Sequence, residues 1–446
     1  MMPYRISLTG ALTMVLVLVL GRPAWALAEL ERSTPGYGDV LTAAPARARL
    51  TFSEPMELTG ARLSLSDGRN RARALARPVF ESPDHRTVAV ALPGIPPGTY
   101  TLTWFFLGRD GHVMGGEVAF RLAGPTPDRG AAEPRFGAVA LAAPEAVVRV
   151  LDYSSLAVLV GGSVFVAGIW WEGAKVRRVR RLLWAGLAGS LLATMLTLGL
   201  TAAGLRGLAA VDAVRPSVLG GVTGTRFGHV LVARSLFLGL GAVVLGLLAV
   251  GRDRAARSGG WRLAGAVAGL GVLATYSLLG HASEEGPTAQ AANLIHLAGV
   301  AVWLGGLVFL TTMVLPRRRA EELRVVISRF SSLAFGAVAA MIMAGAILLS
   351  QVVGRLASLP DTGYGRLLLL KLGLVAVLLL AAQQARSFTE RRLVLALTMS
   401  GDTPGPPAGE GPADLQPLLL AVGVELALAV LILASTSVLV GQLPPR

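Results

Sequence analysis

His281-Ala282-Ser283-Glu284-Glu285-Gly286-Pro287 opens the stretch that decides the fold, and Trp303-Leu304-Gly305-Gly306 closes it. Asn293 and His296 lie between. At helical spacing Asn293, His296, Val300 and Trp303 share one face. The stretch joins two apolar runs, 262–281 and 291–315, each long enough to cross a bilayer. An imidazole facing lipid is costly, so this face must look into a helix bundle or a wet cavity. The expected fold is therefore a polytopic helical membrane domain, with Asn293 and His296 in its polar interior.

Working outward, the whole chain supports that reading. Of its 446 residues, 53% are hydrophobic, and mean hydropathy is +0.61. Eight apolar runs have spanning length: about 150–171, 182–204, 229–250, 262–281, 291–315, 330–353, 367–386 and 417–440. The loops 172–181, 251–261, 316–329 and 387–416 hold 5, 3, 5 and 2 Arg or Lys residues. The alternating loops 205–228, 282–290, 354–366 and 441–446 hold 3, 0, 2 and 1. By the positive-inside rule the first set is cytoplasmic, and both mature termini are then outside. The net charge of +14 comes almost wholly from arginine and is spent largely on these loops. No basic folded domain remains to bind nucleic acid. There are no cysteines, which excludes disulfides and thiolate metal sites.

The N-terminal part reads differently. Arg5, the apolar run Ile6 to Leu20 and the sequence Ala24-Trp25-Ala26 make a secretory signal over 1–26. From Leu30 the pattern has period two. Ala48, Leu50 and Phe52 alternate with Arg47, Arg49 and Thr51, as do Tyr100, Leu102 and Trp104 with threonines. Thr34-Pro35-Gly36, Ser66-Asp67-Gly68 and Pro96-Pro97-Gly98 punctuate the runs. Such alternation predicts an all-β, Ig-like sandwich over 27–123. Residues 124–147, rich in Pro, Gly and Ala, read as a linker to a membrane domain over 148–446.

Leu30 to Gly36, Leu50-Thr51-Phe52-Ser53-Glu54-Pro55, Gly98-Thr99-Tyr100 through Trp104, Asp110-Gly111-His112 and Gly116 together resemble the CopC family of periplasmic copper-binding domains. The resemblance implies a sandwich that holds Cu(II) through Asp110, His112 and an N-terminal histidine. The family pattern His-Ala-x-Leu reads Leu27-Ala28-Glu29-Leu30 here, so one imidazole is missing and Cu(II) binding is expected to be weakened. Gly161-Gly162, Gly280-His281-Ala282, Asn293 with His296, Trp303 to Gly306, Tyr364-Gly365 with Lys371, Glu425 and Pro444-Pro445 resemble the CopD family of copper-transport membrane proteins. Gln383-Gln384 stands where that family has an asparagine. The two resemblances imply a CopC–CopD fusion in a bacterial inner membrane, with the sandwich on the periplasmic side and periplasmic copper chaperones or cuproenzymes as partners.

The candidate metal residues are Asp110 and His112 in the sandwich, which share one face at i and i+2, and His229, His281 and His296 at the outer ends of the spans. Imidazole suits copper in either oxidation state, and no thiolate competes for it. A candidate path inward runs through Asn293, Trp303, Met195, Met341, Met343, Glu425 and Lys371, since thioethers suit Cu(I). Arg234, Lys371 and Glu425 are the charged residues read as embedded. Gly265-xxx-Gly269 and Ala301-xxx-Gly305 read as close helix crossings. No nucleophile elbow, phosphate loop or zinc hydrolase motif is present, so no catalysis is expected. Three functions fit: a copper importer, a membrane factor that delivers copper without transporting it, and a haem or redox protein using the histidines.

Overall fold

The computed structural model describes residues 30–69, 71–108, 111–122, 141–283, 285–317, 320–352, 359–399 and 416–442. The signal segment, Leu27, Asp110 and most of the linker lie outside the described residues. The N-terminal part is two β-sheets face to face. The strands are β1 (Leu30–Thr34), β2 (Val40–Leu41), β3 (Arg47–Phe52), β4 (Met56–Asp67), β5 (Ala72–Ala74), β6 (Val79–Phe80), β7 (Thr87–Ala91), β8 (Gly98–Gly108) and β9 (Val113–Leu122). One sheet has the order β1-β3-β7-β6 and the other β2-β9-β8-β4-β5.

Alternation places the core where the sequence puts it. Ala48, Leu50, Phe52, Leu102, Trp104, Phe106, Val118 and Phe120 are buried between the sheets. Phe52 meets Trp104 edge-on at 5.0 Å, an arrangement aromatic pairs favour. Gly115 and Gly116 of β9 lie opposite Phe105 and Trp104 of β8. A Cβ on either glycine would fall 2.6 Å from the facing ring. The Trp104 and Gly116 blocks are thus two halves of one cross-strand contact.

The membrane part is built on eight long helices. They are α1 (Ala142–Leu156), α2 (Arg177–Gly204), α3 (Arg226–Arg257), α4 (Gly259–Ser277), α5 (Pro287–Phe309), α6 (Ala320–Val352), α7 (Gly363–Met399) and α8 (Gln416–Leu439). α1 runs on to Ile169 through π turns at Ala157–Gly161 and Phe165–Ile169, and α5 through a π turn at Leu310–Val314. α1 packs on α2, α5 and α8; α3 lies between α2 and α4; α5 packs on α6, and α7 on α8.

Among the described residues, six of the eight are long and apolar enough to cross a membrane: α1, α2, α3, α5, α6 and α7. α4 is diluted by Gly259-Gly260-Trp261-Arg262 at its start and Thr275-Tyr276-Ser277 at its end. Within α8 the part whose side chains are described, Gly423–Leu439, is apolar throughout except for Glu425 and the Ser435-Thr436-Ser437 run. Of the eight runs read from the sequence, the one in α4 therefore forms a helix without meeting that standard. At the end away from the sandwich, the Arg257 and Arg329 guanidiniums lie 5.0 and 4.9 Å from the Trp171 ring, and Arg317 lies 5.2 Å from Trp170. Such a belt of Trp and Arg suits a headgroup boundary.

The sandwich does not hang free. Leu107 and Val113, at the end of the β8–β9 hairpin, pack with Leu141, Leu205 and Phe227 of the bundle. A Cβ on Gly111 would lie 2.7 Å from the Phe227 ring, and one on Gly207 3.1 Å from Phe105. The backbone amide of Arg226, at the start of α3, donates to Glu57 Oε1 at 2.9 Å. A carboxylate there also meets the positive end of the helix dipole.

Candidate metal and transport site

His296 lies nine residues into α5, roughly 14 Å along its axis. Its ring is half-buried, and Nδ1 lies 3.0 Å from the Met341 carbonyl of α6. A carbonyl only accepts, so Nδ1 carries the proton and donates it. The other nitrogen, Nε2, is then the one with a lone pair to offer a metal. Gly345 of α6 sits against the same ring; a Cβ there would make ordinary contact at 3.5 Å. Two helices, α5 and α6, therefore meet around this imidazole.

Asn293 sits one turn nearer the N-terminal end of α5. Its Nδ2 donates to Ser277 Oγ at 3.3 Å, on α4. The face read from the sequence is thus shared between two neighbours, with Asn293 on α4 and His296 on α6. Trp303 is 8% exposed and packs with Ala157, Leu304, Leu378 and Ala429, two turns deeper on α5.

The remaining sites scatter. α4 ends at Ser277, and Gly280, with φ +75, turns the chain into a short 3-10 segment, His281–Ser283. His281 therefore lies in the loop rather than on the helix end. His229 is exposed on the first turn of α3, two residues beyond the Phe227 ring that carries Gly111. His112 follows Gly111 in that docked loop and is half-buried. Met341 is 6% exposed, whereas Met195 and Met343 are 49% and 66% exposed on outward helix faces. The structure thus does not gather the three methionines into one lane. Glu425 is 8% exposed within α8. Among the described residues, no three His, Asp or Glu side chains converge on a metal position.

Sequence reasoning missed one residue. Asp152 of α1 is buried, and Nη1 of Arg234 lies 3.5 Å from its Oδ2. Arg234 therefore pairs with α1 rather than with Glu425. Asp152 escaped notice because the first span was read from about residue 150, which places it at the membrane edge. The helix begins at Ala142, inside the stretch read as linker, and buries it.

Comparison with known proteins follows the same division. The family model for the CopC domain matches residues 30–123, the copper resistance protein D-like N-terminal domain matches 140–290, and copper resistance protein D matches 324–439. Copper transport protein CutJ of Bacillus subtilis (strain 168) is 25% identical over 380 residues, 82% of this chain and 69% of CutJ. Protein YobA of Escherichia coli (strain K12) is 29% identical over 116 residues, 26% of this chain and 93% of YobA. The crystal structure of CopC from Methylosinus trichosporium OB3b is 19% identical and covers 23% of this chain and 100% of its own, with a TM-score of 0.21. The sandwich, the helices behind it and the order of the three matches agree: the chain is a CopC–CopD fusion, with a CopC domain in front of a copper resistance protein D-like N-terminal domain and a copper resistance protein D region.

Proposed function

We propose that the protein carries copper inward across the bacterial inner membrane, receiving it on the periplasmic sandwich and passing it to the helix bundle. The observation that carries this is the docked hairpin. Gly111 rests on Phe227 and Glu57 on the Arg226 amide, which seats Gly111, and His112 after it, at the first turn of α3, where His229 follows Phe227 by two residues. All eight helices cross the membrane in this reading, with both mature ends outside. Copper is cargo here. It sits as Cu(II) on Asp110 and His112, weakly because Leu27 replaces a histidine. From there it passes to His229, His281 and the Nε2 of His296, and onward past Asn293 and Trp303 toward Lys371 and Glu425. Periplasmic chaperones load the sandwich, and no chemical conversion is involved.

Uptake of copper into proteoliposomes, with metal analysis of the same preparation, tests the reading. The wild-type chain accumulates copper beyond its own binding stoichiometry. His281→Ala and His296→Ala each lower the initial rate by about tenfold or more while keeping a normal gel-filtration profile, since removing a metal-site group costs about that much affinity. His85→Ala, in a sandwich turn stacked on Phe80 at 4.2 Å, leaves the rate unchanged. Stoichiometric binding without accumulation would instead identify a delivery factor. Wild-type rates in both membrane variants would remove those histidines from the site.

A further inference from the structure

Asp152 belongs to a polar centre separate from the histidines. It is 5% exposed. Its Oδ2 accepts a hydrogen bond from the Tyr276 hydroxyl of α4 at 2.7 Å and faces Arg234 of α3 at 3.5 Å. Its Oδ1 is buried with no hydrogen-bond partner. Arg234 is anchored independently of the carboxylate. Its Nε donates to Thr275 Oγ1 at 2.9 Å, and its guanidinium carbon lies 3.7 Å from the Tyr276 ring centroid. Tyr153 and Arg149 lie on Asp152's own helix, and Arg149 is taken by Glu145 and the Ser437 carbonyl. Of the other helices packed on α1, α5 carries one titratable residue, His296, and the charged residue of α8 is Glu425.

A buried carboxylate oxygen without a partner has lost its hydration and regained nothing. In a native protein such an atom marks a position for a water, an ion or a proton. A metal cation is repelled by the adjacent guanidinium, and an anion by the carboxylate itself. A proton needs one free lone pair, and Oδ1 offers it. Protonation at Oδ1 leaves the Tyr276 bond to Oδ2 intact and leaves Arg234 on Thr275 and the ring. The cluster then changes from neutral to singly positive without losing a hydrogen bond.

We propose that Asp152 is the proton site of the transport cycle, exchanging a proton outward for each copper ion that moves inward; this rests on the transport reading above. The coupling is electrostatic. Tyr276 is followed by Ser277, which holds Asn293 one turn from His296. With Asp152 protonated, the uncompensated charge of Arg234 disfavours a cation at that neighbouring site; with Asp152 ionised, the cluster is neutral and the cation is admitted. The step forms an O–H bond at Oδ1 with a proton from hydronium, leaving water, and breaks it by return to water. No electron moves.

The test uses the full chain in proteoliposomes containing an internal pH dye, supplied with Cu(I) and separately with Cu(II). Wild-type uptake of the transported ion alkalinises the interior, and an acid-inside gradient of one unit accelerates it several-fold. Asp152→Asn binds copper with wild-type stoichiometry but loses both the proton movement and the response to the gradient. Tyr276→Phe keeps the carboxylate, removes its donor, and shifts the pH profile of uptake. Should Asp152→Asn not fold, an unshifted profile in Tyr276→Phe overturns the proposal. Copper uptake without proton movement, or an Asp152→Asn variant still driven by the gradient, also overturns it and leaves the transport reading standing. Absence of copper uptake removes both.

Discussion

Gly161 and Gly305 show what a missing methyl group does in this bundle. A Cβ on Gly305 would stand 2.0 Å from the Ala157 carbonyl oxygen, and one on Gly161 1.9 Å from that of Ala301. α1 and α5 therefore cross with their backbones in contact, as lipid-facing bundles allow when small residues meet. Neither backbone can yield as a flexible side chain would. Gly305→Leu should cost more than the ~1–3 kcal/mol of ordinary overpacking, and thermal melts in detergent should show little cooperative unfolding. Gly265→Ala should stay within about 0.5 kcal/mol of the native chain. The sequence presents Ala301-xxx-Gly305 and Gly265-xxx-Gly269 alike, but only the first makes a close crossing. Gly265 and Gly269 are met by Val244 and Val160 at 3.7 and 3.5 Å, and they line an apolar cavity of about 310 Å³ between α1, α3, α4 and α5. A small-residue pair records an absent side chain and says nothing of what faces it. Asp152 was hidden for a related reason: a carboxylate near a span boundary is read as wet until the start of the helix is known.

Elements with strict alternation were the most legible. β3, β8 and β9 bury the residues their period selects, because a half-buried strand can turn only one set inward. Trp104-Phe105-Phe106-Leu107 breaks the alternation, and the structure gives the cause. Trp104 and Phe106 fill the sandwich, while Phe105 and Leu107 turn to the membrane domain. A strand apolar on both faces is covered on both faces. α4 was read as a span, and it forms the expected helix, but its C-terminal end carries the polar residues that hold Arg234 and Asn293, which lowers its apolarity. The β4–β5 turn carries its own pH dependence. The Asp67 carboxylate accepts from the Arg71 amide at 3.0 Å, from Arg71 Nε at 2.8 Å and from the Arg69 amide at 3.0 Å. The Arg71 backbone bond first, then its side chain, hold this carboxyl below the ordinary aspartate range of about 4. A lowered folded value means the contribution is present above that range and is lost as pH falls through it. Melts followed by Trp104 fluorescence should show the sandwich weakening below about pH 4, and Asp67→Asn should flatten that acid limb. Because the turn is exposed the effect is small, and an acid limb unchanged in Asp67→Asn would assign it to Glu81 and Asp84.

At the scale of the whole molecule, the arrangement of the two domains is the feature that sequence could least supply. Family patterns describe each domain, and the stretch between them reads as a spacer. Docking depends instead on which exposed residues meet across 100 positions of chain. Leu107, Val113 and Gly111 meet Leu205 and Phe227, and none of these is polar enough or repeated enough to stand out. The absence of cysteine from all 446 residues allows a direct test. A Cβ built on Gly204, at the end of α2, lies 3.4 Å from Val113 Cβ and 3.4 Å from its Cγ1. Disulfides span Cβ separations of about 3.5–4.5 Å, so a shift of a tenth of an ångström brings the pair into range. Val113→Cys with Gly204→Cys should close under mild oxidation in most molecules, and Phe227→Ala should slow closure by loosening the seat of Gly111. Failure of the pair to close in folded protein would mean the sandwich does not rest here. The locked protein then reports on function. The loop that includes His112 is already at the head of α3, so delivery needs side-chain movement and no domain swing. Copper uptake by the oxidised double variant should match its own reduced form within about twofold, inside the roughly tenfold that 1.4 kcal/mol represents. A large loss restored by reductant would show that the sandwich must leave its seat to deliver copper.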